Sequence, residues 1–238
     1  MKKSLEEHQE ERHQGLSRSN IRDIILGFQD GVVNTLGLVL GVASAVNSTK
    51  LVIISGLVTT FAESISMAAV AYTSTKAAHE FYVSQLEREK KEIKEMPHME
   101  VEEIRQIYHK KGFRGKQLES IVKKITSNKR LWLETMMVEE LRLSPEDYEK
   151  PLRSTLVVGI SAVIGSLVPV LPFFFMTIKS GMITALILSV IVLFAVGAKK
   201  ANVTIGDWKK SGLEMAVVGT LAALAGYLVG SLLGVVYA

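Results

Sequence analysis

Asp30 and Glu63 are each the only charge in an uncharged run of membrane length, Ile24–Val46 and Leu51–Tyr72. At about 1.5 Å per residue either run crosses a hydrocarbon core of roughly 30 Å. A carboxylate in that core costs at least ~2.5–3.5 kcal/mol, so it calls for a partner or a task. The plain alternative is an acid facing a water-filled crevice or capping nearby backbone. A second group of acids lies in a charged stretch further along. Glu89 and Glu92 are three apart, as are Glu100 and Glu103, so each pair shares a helix face. A turn near Pro97 would fold the two pairs against each other. Glu139 and Glu140 follow Met136 and Met137, and Glu140 shares a face with both methionines. Clustered carboxylates repel unless they are protonated, paired with cations or bound to metal. Lys90, Lys91, Lys94 and Arg105 stand among them, so a solvated charged face is the ordinary reading of the same pattern.

The elements that position these residues are all helical, in a polytopic membrane protein. Three further uncharged runs follow, Leu156–Ile178, Gly181–Ala198 and Met215–Ala238, giving five spans in all. The expected organisation is an N-terminal arm (1–22), spans one and two (23–72), a helical insert (73–153), and spans three to five (154–238). The arm is charged and has no apolar centre, so no secretory signal is visible. Cysteine is absent, which removes disulfides and thiolate metal sites and leaves carboxylate, imidazole, thioether or backbone oxygen as ligands. The basic balance of the chain does not point to nucleic acid, because its Lys and Arg lie largely beside the spans. Arg12, Arg18 and Arg22 in the arm, with Lys199, Lys200, Lys209 and Lys210 after span four, outnumber Lys50 and Lys179 on the other side. The positive-inside rule then places the N-terminus and the insert in the cytosol and the C-terminus outside.

Within the insert, the Pro- and Gly-free stretch after Tyr72 continues span two as one long helix, ended by Pro97. Further helices are expected at about 100–111, stopped by Gly112, at about 115–127, and at about 129–143. Leu118, Ile121, Val122 and Ile125 form an apolar stripe on the third. No Glu-x-x-His occurs in the insert, which argues against a carboxylate-bridged di-iron enzyme site.

Together these stretches resemble the vacuolar iron transporter family. The carrying residues are DIILGFQDGVVNTLGLVLGVASA in span one, ESISMAAVAYTSTKAAHEFY in span two, and EREKKEIKEMPHMEVEEIRQIYHKKGF in the insert. WLETMMVEELRL, GSLVPVLPFFF and LEMAVVGTLAALAGYLVG continue the match in order. The resemblance implies a five-span homodimer with a cytosolic metal-binding domain between spans two and three. It also implies export of divalent iron from the cytosol in exchange for protons, with Asp30 and Met67 in the path. Glu89, Glu92, Glu100, Glu103, Glu140 and Met136 are the implied metal ligands of the insert, with Glu139 as a substitute for the carboxylate expected where Met137 stands. The second-span acid expected two turns before Met67 is Thr59 here, and Glu63 comes one turn later.

Depth along the spans is compatible with that path. Asp30 lies about six residues, ~9 Å, in from Ile24, and Met67 about five, ~8 Å, in from Tyr72. Spans one and two run antiparallel, so the two residues can face each other. Glu63 is a turn deeper, and Asp23, on the face of Asp30, stands at the entrance. A carboxylate with a thioether suits Fe²⁺, or another divalent transition metal such as Mn²⁺, better than Mg²⁺ or Ca²⁺. The metal is then substrate, and no organic cofactor is implied. The membrane would be the cell membrane of a prokaryote or a vacuolar-type membrane of a eukaryote. A competing reading is a membrane-anchored metal buffer or sensor, but an anchor has no need of acids inside two adjacent spans. No Ser–His pair or HExxH motif supports a hydrolase, so an enzyme is not expected.

Overall fold

The structure, a computed structural model, describes residues 18–144, 151–203 and 206–237. Of the expected N-terminal arm, residues 1–17 lie outside the described residues, as do Pro145 and Ala238. The described residues form helices and turns, with no strand among them: α1 Arg18–Ala45, α2 Thr49–Glu95, α3 Pro97–Lys110, α4 Gly115–Thr126 and α5 Lys129–Thr135. A π-helical turn, Met136–Glu140, follows α5, and then come α6 Pro151–Val170, α7 Ile178–Val203 and α8 Trp208–Tyr237. Contacts divide the chain into two compact units. One holds the residues up to Tyr72 and from Leu152 onward; the other is Thr73–Pro151.

In the first unit five helices are long and apolar enough to cross a membrane. Their outward faces are apolar at helical spacing: Leu51, Ile54, Val58, Phe61 and Ile65 on α2, and Ile183, Ile187 and Ile191 on α7. In water such stripes would be a liability, whereas hydrocarbon is their natural solvent. The interior is held by small residues, because apolar surface gains nothing by leaving lipid and close approach must supply the attraction. A Cβ at Gly37 would meet the Ala222 carbonyl at 3.1 Å, and one at Gly41 the Gly226 carbonyl at 2.8 Å, so α1 lies directly on α8. Gly27 and Gly31 play the same part against the α6 backbone at Val158 and Ala162. The glycine repeats of spans one and five therefore pack against each other within one chain. Leu36, Val39, Leu40, Val52, Val170 and Phe173 fill the space between the close contacts.

Helix ends depart from the apolar runs where polar chemistry decides them. Span five begins at Trp208 instead of Met215, since Asp207 Oδ1 accepts from the backbone N–H of Lys209 (2.9 Å) and Lys210 (3.4 Å) and caps the helix early. The third span runs through Pro169 but ends at Val170, and a 3₁₀ turn, Leu171–Phe174, carries Pro172.

In the second unit α2 stops at Glu95, and Pro97 starts α3, where its missing N–H costs nothing. The helix expected near Glu100 thus begins three residues earlier. Gly112, with φ +101°, ends α3, and the Phe113 N–H donates back to the Tyr108 carbonyl at 3.2 Å. The stripe Leu118, Val122 and Ile125 packs with Ile104, Trp132 and Met136 into a small core, flanked by Ile121. Asn128 caps α5 through the N–H groups of Arg130 and Leu131. That helix does not run on to residue 143: it widens at Met136, where Leu141 N–H donates to the Met136 carbonyl, five residues back, at 3.2 Å.

Candidate functional site

Two groups of acids are assembled, one in each unit. In the first unit a cleft of about 540 Å³ is lined from α1 by Asp30, Asn34 and Leu38, one helix face at i, i+4, i+8 spacing. From α2 it receives Val58, Thr59, Ala62, Glu63, Ser66 and Met67. Asp30, Glu63 and Met67 are therefore brought to one cavity. Thr59 and Glu63 both line it, so a carboxylate at either turn of α2 reaches the same space. Asn34 Nδ2 donates to Glu63 Oε1, and Glu63 Oε2 is shielded from solvent. The Asp30 carboxylate is close enough for the two acids to act on each other. Asp23 is placed elsewhere: it is buried, accepts a 2.5 Å hydrogen bond from Ser154 Oγ, and lies 3.7 Å from Arg22. It joins α1 to α6 and is not among the residues that line the cleft.

In the second unit Glu89 from α2, Glu100 from α3 and Glu140 from the π turn offer carboxylate oxygens within 4.8 Å of one another. Glu89 and Glu100 are 3% and 4% exposed, which is rare for carboxylates unless they have partners. As carboxylates, Glu89 Oε1 and Glu100 Oε2 have no hydrogen-bond donor at all. A shared proton or a bound cation are the two ways to satisfy them. Without metal the proton serves: burial first, then the hydrogen bond to Glu100 and the charges of Glu100, Glu140 and Glu92, push the Glu89 carboxyl up to about 8. Burial raises Glu100 as well, against the hydrogen bond from Glu89 that favours its charge. Burial and the charges of Glu103, Glu100 and Glu92 bring Glu140 to about 7. The three carboxylates are close enough together that they could hold one metal ion, which would take the place of the protons.

The remaining acids fall around this trio in different ways. Glu103 hydrogen-bonds Glu140. Glu92 pairs with Arg88 at 3.0 Å, and Glu139 pairs with Lys111. Met136 is fully buried in the apolar core with Ile104 and Trp132, and Met137 is buried beside it. The π turn separates these roles. By lengthening one turn it sets Met136 inward while Glu140 joins acids from two other helices.

Two features of the sites escaped the sequence. Asn34 carries no charge and was not among the expected site residues, although its i+4 spacing from Asp30 put it on the same face. The π turn left no signal in MMVEE, whose residues all suit an ordinary α-helix.

The model of the VIT family matches residues 21–231. Vacuolar iron transporter 1 of Oryza sativa subsp. japonica is 32% identical over 221 residues, covering 92% of this chain and 87% of the relative. Vacuolar iron transporter 1 of Tulipa gesneriana is 30% identical over 224 residues, 94% of this chain and 90% of the relative. The vacuolar iron transporter of Plasmodium falciparum (isolate 3D7) is 29% identical over 240 residues, covering 97% and 87% respectively. The matched stretch includes α1 from Ile21 onward, α2, the residues that line the cleft and all three acids of the buried cluster.

Proposed function

This chain belongs to the VIT family, and we propose that it carries Fe²⁺ across a membrane, from the cytosol outward, in exchange for protons. The observation that carries the reading is the cleft inside the apolar unit, where two carboxylates and a thioether meet on helices of membrane length. Acids in that setting are costly unless a cation visits them. The mixed donor set favours a borderline ion, so Fe²⁺ is the principal substrate and Mn²⁺ a second one. The relatives named as vacuolar iron transporters support iron and a vacuolar-type or equivalent membrane.

The Glu89–Glu100–Glu140 cluster collects the ion from the cytosol, with Glu103 and Glu92 beside it. The ion then passes Asp30, Met67 and Glu63. In the cluster, metal replaces protons held by Glu89 and Glu140. In the cleft a proton is the alternative partner for the Asp30–Glu63 pair once the ion has left, which couples the two fluxes. Arg12 in the arm, Arg18 and Arg22 at the start of α1, Lys199 and Lys200 near the end of α7, and Lys209 and Lys210 at the start of α8 orient the N-terminus and the Thr73–Pro151 unit toward the cytosol. A homodimer is the working assembly.

The test is uptake by the full chain in sealed liposomes with an imposed pH gradient, offering Fe²⁺ kept reduced, Mn²⁺, Zn²⁺ and Ca²⁺ in turn. Fe²⁺ flux that follows the gradient is the expected result. Tight metal binding with no flux of any ion would instead establish an anchored buffer or sensor.

A further inference from the structure

Asn34 belongs to neither the acids nor the thioether, yet it makes the hydrogen bond that fixes one of them. Its Nδ2 donates to Glu63 Oε1, across the cleft from α1 to α2. An oxygen that accepts an amide N–H has less electron density to offer a cation. The other oxygen, Oε2, is shielded from solvent and so is turned away from the open cleft. Glu63 held in this orientation offers a cation only Oε1, the oxygen that Asn34 engages, and a cation meets it as a monodentate ligand.

We propose that Asn34 is a specificity-determining, positioning residue: by tethering Glu63 Oε1 it restricts that carboxylate to single-oxygen ligation and so disfavours large, oxygen-hungry cations. This rests on the reading of the cleft as an ion path. Ca²⁺ takes six to eight oxygens and commonly a bidentate carboxylate, whereas transition metal ions of the Fe²⁺ and Mn²⁺ class accept fewer ligands. With Asp30 opposite and Met67 contributing sulfur, the tether removes an oxygen that Ca²⁺ needs. The residues at the two ends of the bond act as a unit, and the placement of Glu63 one turn after Thr59 is what puts it within reach of Asn34.

The experiment measures Mn²⁺ uptake by the full chain in liposomes under Ca²⁺ competition, for wild type, Asn34→Ala, Glu63→Gln and the double variant. Freeing Glu63 in Asn34→Ala should strengthen Ca²⁺ competition by roughly tenfold, the low end for one hydrogen bond to a charged group. Asn34→Gln, which keeps a carboxamide, should recover part of the wild-type ratio. In the Glu63→Gln background, Asn34→Ala should leave the ratio unchanged, as a shared interaction demands. An unchanged ratio in the single variant, an equal shift in both backgrounds, or an equal loss for every ion would each overturn the proposal. If wild type moves no metal, it is the transport reading that fails. The same four variants are then compared in detergent by Mn²⁺ paramagnetic resonance with Ca²⁺ competition. There the chain also carries Glu89→Gln, Glu100→Gln and Glu140→Gln, to silence the other cluster. A Ca²⁺ shift confined to the background with intact Glu63 supports the tether, and its absence refutes it.

Discussion

Metal binding at the Glu89–Glu100–Glu140 cluster should expel protons, in a number that depends on pH in a defined way. With Glu89 raised to about 8 and Glu140 to about 7, at pH 7 the first is roughly nine-tenths protonated and the second roughly half. A divalent ion that claims these carboxylates then releases about 1.4 protons from Glu89 and Glu140 at pH 7, and close to none from them near pH 9. The sign follows from the direction of the shifts. An acid with a raised pKa holds its proton more tightly in the folded state, so metal must compete harder as pH falls. Between about pH 8.5 and about pH 6 the affinity should drop by up to roughly a thousandfold. Metal-free protein should behave oppositely. Folded Glu89 keeps its proton while the unfolded chain has lost it, so stability falls as pH rises from about 4.5 through about 8, and metal restores it. The assay is calorimetric titration of the full chain in detergent with Mn²⁺, in buffers of differing ionisation enthalpy. The variant Glu89→Gln, Glu100→Gln, Glu140→Gln is subtracted to remove binding at the cleft. Release of fewer than about 0.3 protons at pH 7, or an affinity flat across the range, would refute the protonated buried cluster.

Three further outcomes follow from named contacts. Asp30→Ala should reduce Fe²⁺ and Mn²⁺ uptake to background while the protein remains folded by circular dichroism; wild-type flux from that variant would remove Asp30 from the path. Glu63→Gln should leave some metal flux but make it insensitive to the imposed pH gradient, read by an internal pH dye, whereas a preserved response would move proton coupling to another group. Gly226→Leu should destabilise the membrane unit by roughly 1–3 kcal/mol or more, because a side chain there meets the Gly37 backbone, which cannot yield as a side chain could. An unchanged melting temperature in detergent would show that α1 and α8 do not depend on that approach.

Span number, the helical stripe on α4 and the isolated acids at Asp30 and Glu63 could be read from the chain, because each is a local property. Whether a run is long enough for a bilayer, or alternates with a helical period, involves only residues close in sequence. The same locality misplaced several helix ends, since a cap such as Asp207 extends a helix beyond its apolar stretch. The sequence also offered seven candidate ligands in the insert with similar local surroundings. Tertiary structure decided which of them meet. Glu89, Glu100 and Glu140 converge from three elements, Glu92 and Glu139 are taken by Arg88 and Lys111, and Met136 enters the core. It likewise decided that the glycines of α1 and α8 face each other within one chain, and that an uncharged Asn34 holds Glu63. The physical reason is the same throughout. Chain propensity and hydropathy act over a few residues, whereas ligand geometry, ion pairing and the burial that shifts a carboxyl are set by elements distant in sequence and close in space.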